Sequence, residues 1–138
     1  MLPQCDYVVV AAPLNAETVG LLSAAEFAAM KPSAVIINVG RGPVINERAM
    51  INALSQHKIK GAALDVFDEE PLPVGHALWE FENVVITPHI SFYSEESLVE
   101  LQTKAAEEVV RVLSGQAPRN PVNPEVLQRT AEPSRAIG

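Results

Sequence analysis

Three side chains suited to acid–base chemistry on an anionic substrate follow apolar segments of the chain. Arg41 comes just after AVIINV, Glu70 lies in the acidic segment after GAALDVF, and His89 comes just after NVVIT. An arginine can bind a carboxylate through two parallel hydrogen bonds, and a histidine can give or take a proton near neutral pH. A carboxylate beside the histidine orients its ring and favours its charged form. The three together suit a 2-oxo or 2-hydroxy acid.

Each of these residues also has a less specific interpretation. Arg41 fits a surface salt bridge about equally well, and Glu70 with the glutamate before it fits a solvated loop. A single histidine after a strand is more often structural than catalytic, and we assign His57 and His76 to that role. Asp65 is harder to treat as incidental, because a carboxylate at the end of an apolar strand needs polar partners.

The elements that must position these residues alternate between strands and helices. Short apolar segments predict buried strands at residues 6–12, 34–39, 61–67 and 83–87, and the first of them is rich in β-branched residues. Apolar residues at helical spacing after good N-caps predict helices at residues 23–31, about 47–57 and about 94–114. This alternation predicts an α/β fold, a partial doubly wound parallel sheet that is Rossmann-like and covered on both faces. Ligands bind outside the carboxyl ends of such strands, which is where the three side chains fall.

Composition narrows the classes of protein. The 138 residues suffice for a domain with a core, and the net charge of −7 argues against a nucleic-acid binder. No basic run indicates a membrane surface, no apolar run is long enough to span one, and the first residues do not form a signal peptide. The single cysteine, Cys5, allows no internal disulfide or metal cluster and fits a cytoplasmic protein. We expect a domain over residues 1–115 and an extended tail over residues 116–138.

Four stretches of the chain resemble the D-isomer-specific 2-hydroxyacid dehydrogenases, in the later part of their NAD-binding domain. They are CDYVVVAAPLNAET, EFAAMKPSAVIINVGRGPVINERAMINAL, GAALDVFDEEPLP and NVVITPHIS. The resemblance runs from about Cys5 to Pro124. The segments PHISFYSEES and AAEEVVRVLSGQAPRNPVNP are further similar to the branch that contains the C-terminal-binding proteins.

This resemblance implies roles for the three residues. Arg41, in the family's N-x-x-R-G segment, would bind the substrate carboxylate. His89 would be the acid in reduction and the base in oxidation, and Glu70 would pair with it. The resemblance also implies NAD as cofactor, with NADP not excluded. The positions that it places near the cofactor are Pro13, Asn15, Val39, Gly40, Arg41, Asp65, His89 and Ser91.

Two features limit what the resemblance transfers. Phe92 stands near the substrate, where the C-terminal-binding proteins carry a tryptophan, so the identity of the 2-hydroxy acid does not follow. The family's G-x-G-x-x-G loop is absent, and with it the pyrophosphate cradle. We therefore expect the C-terminal portion of a dehydrogenase that is inactive by itself and that acts, when complete, on a small 2-oxo acid as a homodimer. The alternatives are a fragment without function and a corepressor-like interaction protein.

Overall fold

A computed structural model describes residues 1–125 and residue 127. The chain divides into two compact units, Met1–Phe92 and Tyr93–Gly138. Every predicted strand and helix is present, and most are a few residues shorter than predicted. Their bounds are β1 Tyr7–Val10, α1 Ala24–Ala29, β2 Val35–Asn38, α2 Glu47–Ser55, β3 Gly61–Leu64, β4 Val84–Ile86 and α3 Glu95–Leu113. The predicted division into residues 1–115 and 116–138 stays a prediction.

The first unit is built on one parallel sheet. Its four strands lie in the order β1-β2-β3-β4, so that each strand pairs with its neighbour in sequence. The register aligns Val10, Asn38, Leu64 and Ile86 in one row across the sheet. The carboxyl ends of all four strands therefore lie at one edge. This confirms the predicted α/β class with a Rossmann-like parallel sheet.

Only one face of this sheet is buried. Val10, Ile36 and Leu64 are at most 6% exposed and belong to the same hydrophobic cluster as buried side chains of α1 and α2. On the other face, Tyr7 and Val9 of β1 are 69% and 60% exposed. The expectation of a sheet covered on both faces is thus wrong for this unit, because consecutive right-handed crossovers place both helices on the same side. The apolar composition of the strands had predicted a second layer of elements over the other face, where Tyr7 and Val9 are exposed in this unit.

The two helices of the first unit begin where side chains satisfy their free backbone N–H groups. Ser23 and Glu26 form the predicted capping box, in which Glu26 accepts a hydrogen bond from the Ser23 N–H (3.0 Å). Asn46 caps α2 by accepting from the Ala49 N–H (2.9 Å). The segment between β2 and α2 contains Arg41, and the Asn46 cap fixes the end of this segment at the start of α2.

The second unit contains α3. The helix opens with a reciprocal cap between Ser94 and Ser97, and none of its residues is buried. The chain then folds back, and the N–H of Arg119 donates to the Glu108 carboxylate (2.7 Å). Most of the predicted tail lies outside the described residues. Within the described part of the chain, no helix is long and apolar enough to cross a membrane, and no group of His, Cys, Asp and Glu has the arrangement of a metal site.

Candidate active site

Arg41 lies in a tight turn that is organised by Asn38, the last residue of β2. Asn38 is 1% exposed. Its amide donates to the Arg41 carbonyl (3.0 Å), and its oxygen accepts from the Gly40 N–H (3.1 Å). A Cβ at Gly40 would lie 2.9 Å from the Ala12 carbonyl oxygen, so only glycine fits there without a shift. The Arg41 side chain is exposed, and it donates to the Gly40 carbonyl (2.7 Å) rather than to a carboxylate among the described residues.

Gly42 joins this turn to the segment that follows β3. A Cβ at Gly42 would overlap the backbone carbonyl of Phe67 and crowd the N–H of Asp68. The two backbones therefore pack directly on each other, which no other residue type would allow. As a result, Arg41 is held beside the acidic segment that contains Glu70.

Glu70 and His89 form a direct pair. The Glu70 Oε2 lies 2.7 Å from the His89 Nδ1, and the Glu70 Oε1 accepts from the Phe67 N–H (3.0 Å). The hydrogen bond with His89 lowers the pKa of the Glu70 carboxyl; burial opposes this, and the Phe67 N–H and the charges of His89 and Arg41 add to it. Arg41 therefore lies within electrostatic reach of the pair. Because Nδ1 faces the carboxylate, Nε2 is the ring nitrogen left for proton exchange.

Asp65 ties the end of β3 to the segment that carries His89. It is 4% exposed, and its Oδ1 accepts from the Thr87 hydroxyl (2.5 Å) and the Ile90 N–H (2.9 Å). Its Oδ2 accepts from the Ser91 N–H (2.8 Å). Burial raises the pKa of the Asp65 carboxyl, but the hydrogen bonds from Ser91, Thr87 and Ile90 outweigh it and hold the pKa well below its usual range. Asp65 is thus an ionised, buried carboxylate with several partners, as its place in an apolar strand suggested.

These bonds enclose a strained residue. His89 has a φ of +56°, in the left-handed region that costs an ordinary residue about 1–2 kcal/mol. Asp65 holds Thr87 on one side of it and Ile90 and Ser91 on the other. The clamp therefore stabilises the backbone conformation that presents the His89 ring to Glu70. The resemblance also implies that Asp65 binds the cofactor, and that role stays a prediction.

A groove runs between the ends of β1 and β2. Its volume is 470 Å³, and its walls include Pro13, Leu14, Val39, Gly40 and Arg41. Leu14 and Val39 are 42% and 39% exposed, so apolar surface lines a groove that is open to solvent. A flat ring with apolar faces, such as nicotinamide, suits these walls. The residues predicted to lie near the cofactor on this side, Pro13, Val39 and Gly40, thus meet in one place.

Asn15 acts locally in the loop that borders this groove. Its side-chain oxygen accepts from the N–H groups of Glu17 (2.9 Å) and Thr18 (3.1 Å). The Thr18 hydroxyl in turn donates to the Pro13 carbonyl (2.6 Å). Asn15 therefore shapes the loop, and its predicted contact with the cofactor stays a prediction.

The other two histidines, His57 and His76, do not take part in the hydrogen bond between Glu70 and His89. His57 follows α2 with a φ of +52°, and His76 contacts the Glu47 carboxylate (3.0 Å). Burial and the charge of Glu47 raise the pKa of Asp68, while His76 opposes the shift. His76 thus connects the loop after β3 to the start of α2, in keeping with a structural role.

Phe92, predicted to lie near the substrate, is 53% exposed.

Two residues of the site were not among the predicted site residues. Asn38 shapes the Arg41 turn, and Thr87 takes part in the Asp65 clamp. Each is a polar residue at the end of an otherwise apolar strand segment, which is the signal that singled out Asp65. A systematic search for that signal would have identified both.

A parallel α/β sheet with an arginine, a histidine–carboxylate pair and an open groove at its carboxyl edge has the layout of a dinucleotide-binding dehydrogenase domain. Residues 1–91 match the family model described as "D-isomer specific 2-hydroxyacid dehydrogenase, NAD binding domain". The chain belongs to this family.

Three relatives illustrate the assignment. The glyoxylate/hydroxypyruvate reductase B of Enterobacter sp. (strain 638) is 44% identical over 126 residues, which cover 91% of this chain and 39% of that protein. The crystal structure of the TT0316 protein from Thermus thermophilus matches with a TM-score of 0.82 and 40% identity, over 88% of this chain and 39% of that one. A D-isomer specific 2-hydroxyacid dehydrogenase from Xanthobacter autotrophicus Py2, solved in complex with NADPH and MES, matches with a TM-score of 0.74 and 40% identity, over 91% of this chain and 51% of that one.

These relatives bear on the cofactor and on the extent of the chain. The prediction of NAD, with NADP not excluded, is confirmed at the level of the family, whose matching model is an NAD-binding domain. The chain spans 39% of the length of the Enterobacter reductase that it matches. The narrower resemblance to the C-terminal-binding-protein branch and the predicted homodimer stay predictions.

Proposed function

We propose that this chain supplies the catalytic residues of an NAD(P)-dependent dehydrogenase that interconverts a 2-oxo acid and a D-2-hydroxy acid. The observation that carries the proposal is the 2.7 Å contact between Glu70 and His89, with the charge of Arg41 acting on the same carboxylate. A cation for an anionic substrate and a proton donor held by a carboxylate are the two groups that reduction of a 2-oxo acid requires.

In the proposed reduction, each of the three side chains has one task. Arg41 binds the substrate carboxylate through two parallel hydrogen bonds, which fixes the position of the neighbouring carbonyl. His89 donates the proton on Nε2 to the carbonyl oxygen, and the ionised Glu70 stabilises the charged ring before that transfer. In oxidation, the neutral His89 takes the proton back from the hydroxyl group.

The groove between the ends of β1 and β2 is the proposed position of the nicotinamide. When bound, the cofactor supplies or accepts the hydride at C2 of the substrate. Pro13, Val39 and Gly40 would hold its ring, with Leu14 covering apolar surface beside them. The other proposed cofactor contacts are Asn15, Arg41, Asp65, His89 and Ser91.

A chimaeric enzyme tests the proposal. This chain would replace the matching 39% of the Enterobacter glyoxylate/hydroxypyruvate reductase B, and oxidation of NADPH or NADH would be followed with glyoxylate and hydroxypyruvate. The 44% identity between the two sequences favours a folded hybrid. We expect reductase activity that His89→Asn lowers by about 10²–10⁴-fold, the usual contribution of a general acid.

His57→Asn is a matched control in the same hybrid. Both histidines have a left-handed backbone, with φ of +56° at His89 and +52° at His57, and asparagine tolerates that region well. Only the first change removes a proposed proton donor. Equal losses in the two variants, or an unchanged rate in His89→Asn, would refute the assignment of His89.

The chain alone should have negligible activity. Hydride transfer needs the reacting atoms about 3–3.5 Å apart in a well-oriented site. Arg41 is exposed at the edge of the sheet, and the His89 side chain is 40% exposed there. Rapid oxidation of NADH with glyoxylate or hydroxypyruvate by the pure chain of 138 residues would contradict this expectation.

A further inference from the structure

Asn38 is a polar residue in an otherwise apolar row of the sheet. The register aligns it with Val10, Leu64 and Ile86. Among the residues that the structure describes, the buried polar or charged side chains are those of Asn38 and Asp65. A buried amide costs free energy unless it is hydrogen-bonded, and an apolar side chain would suit this row at least as well. The packing of the sheet therefore gives no reason for an amide at this position.

The hydrogen bonds of the Asn38 side chain go to the turn that contains Arg41. Its NH₂ group donates to the Arg41 carbonyl (3.0 Å), and its oxygen accepts from the Gly40 N–H (3.1 Å). The backbone carbonyl of Asn38 accepts from the Asp65 N–H (3.0 Å), so the same residue is anchored to the end of β3. Asn38 thus connects the sheet to the backbone of Arg41.

The other contacts of this turn leave the direction of the Arg41 peptide less restricted. The Arg41 carbonyl also accepts from the Val44 N–H (3.3 Å), but that bond closes the short turn that follows Arg41 and does not reach the sheet. Gly40 and Gly42 pack closely on other backbone segments, and such contacts limit distance without fixing direction. The bond from Asn38 is therefore the directional link between the Arg41 carbonyl and β2.

We propose that Asn38 is a positioning residue for the substrate carboxylate and that it acts through Arg41. This inference rests on the proposed function, because it assumes that Arg41 binds that carboxylate. A guanidinium binds a carboxylate best through two parallel hydrogen bonds, so a rotation of the Arg41 peptide that swings the side chain weakens both. An arginine whose backbone is held in advance also loses less conformational freedom when the acid binds. Asn38 thus raises the affinity for the acid without contacting it.

The chimaeric reductase tests this role with Asn38→Thr. Threonine is close to asparagine in size and suits a strand, and its hydroxyl can still accept from the Gly40 N–H. It is too short to donate to the Arg41 carbonyl, which keeps its bond from Val44. We expect KM for glyoxylate to rise about tenfold, near the upper end of what one hydrogen bond contributes. The value of kcat and the affinity for NADH should stay close to those of the unaltered hybrid.

Two comparisons show whether Asn38 acts through Arg41. In an Arg41→Met background, Asn38→Thr should change KM by less than about twofold, because the residue through which it acts is gone. A residue that only supports the fold would cause the same loss in both backgrounds. Asn83→Thr is the matched control. The Asn83 amide also donates to a backbone carbonyl, that of Lys60 (2.7 Å), but it precedes β4 and lies at the opposite edge of the sheet, so KM should be unchanged.

Binding of oxamate to the chain itself gives a second measurement that does not need the hybrid. Oxamate carries a carboxylate beside a carbonyl group, as a 2-oxo acid does, and nitrogen-15 NMR of the Arg41 Nε–H reports its binding. Asn38→Thr should raise the Kd of oxamate about tenfold, and Asn83→Thr should leave it unchanged.

The outcomes separate this inference from the proposed function. If Arg41→Met raises KM and Kd and Asn38→Thr does not, Asn38 is not a positioning residue and the proposed function still stands. Equal effects of Asn38→Thr with and without Arg41 would also overturn the inference, because Asn38 would then act through the fold. The absence of Arg41-dependent binding in both assays would overturn both.

Discussion

Replacing Asp65 by asparagine should destabilise the first unit and should do so less at acidic pH. Asp65 accepts hydrogen bonds on both carboxylate oxygens and is 4% exposed. Asparagine has nearly the same shape, so the change creates no cavity. What it alters is one oxygen, which becomes an NH₂ group, and the charge.

The magnitude follows from the partners of the two oxygens. An asparagine oxygen in the position of Oδ1 would still accept from Thr87 and Ile90, without the strength that the charge adds. Its NH₂ group would face the Ser91 N–H, so that a 2.8 Å hydrogen bond gives way to two opposed donors. A hydrogen bond to a charged group contributes about 1.5–3 kcal/mol, and a buried donor left unpaired costs about 1–3 kcal/mol. We expect Asp65→Asn to lower the free energy of unfolding by about 3 kcal/mol at pH 7.

The pH dependence of this loss has a definite sign. The folded state lowers the pKa of Asp65, so the carboxylate stabilises the fold above the unfolded pKa of about 4. That contribution is lost as the pH falls through the folded pKa, and the amide of the variant does not titrate. The difference between the two proteins should therefore be full at pH 7 and become smaller as the pH falls below about 4.

Urea unfolding followed by the fluorescence of Trp79 measures this difference, since that residue lies in the first unit. Asp6→Asn is the control, because Asp6 has a side chain that is 66% exposed and pairs with Lys31 at the surface. It should change stability by less than about 1 kcal/mol. Equal losses for the two variants at pH 7, or a loss in Asp65→Asn that is unchanged at pH 3, would refute the reasoning.

Two further predictions concern the segments around the pair. Arg41→Met should raise the pKa of the Glu70 carboxyl, because it removes a positive charge that lowers it; carbon-13 NMR of that carboxyl should show the shift, and Arg48→Met should show none. Gly42→Ala should destabilise the fold by several times the roughly 1 kcal/mol expected for Gly75→Ala, since only the first places a Cβ on another backbone while the second meets open space at a φ of +84°. Similar melting temperatures for the two alanine variants would contradict direct backbone packing.

The sequence alone predicted those structural features whose physical cause lies in neighbouring residues. The caps at Ser23 and Asn46 depend on groups three residues away, and both are present as expected. The strands could be located because short apolar segments alternate with segments that contain glycine, proline or charged residues. The meeting of Arg41, Glu70 and His89 then followed from topology, since the carboxyl ends of parallel strands share an edge.

The details that were not predicted depend on contacts distant in sequence. Asp65 and Thr87 are 22 residues apart, and nothing near either residue shows that the two side chains meet. The open face of the sheet, with Tyr7 and Val9 exposed, has a similar origin. An apolar strand indicates how much surface needs covering, but the element that covers it is specified elsewhere.

The three proposed catalytic residues depend on one short segment, residues 65–70. The Asp65 carboxylate holds the residues on both sides of His89, and the Phe67 N–H donates to Glu70 (3.0 Å). The Phe67 carbonyl is the group against which Gly42 packs, and Gly42 directly follows Arg41. These contacts all lie within the first unit. The segment that directly follows β3 therefore holds both members of the Glu70–His89 pair and contacts the turn that carries Arg41.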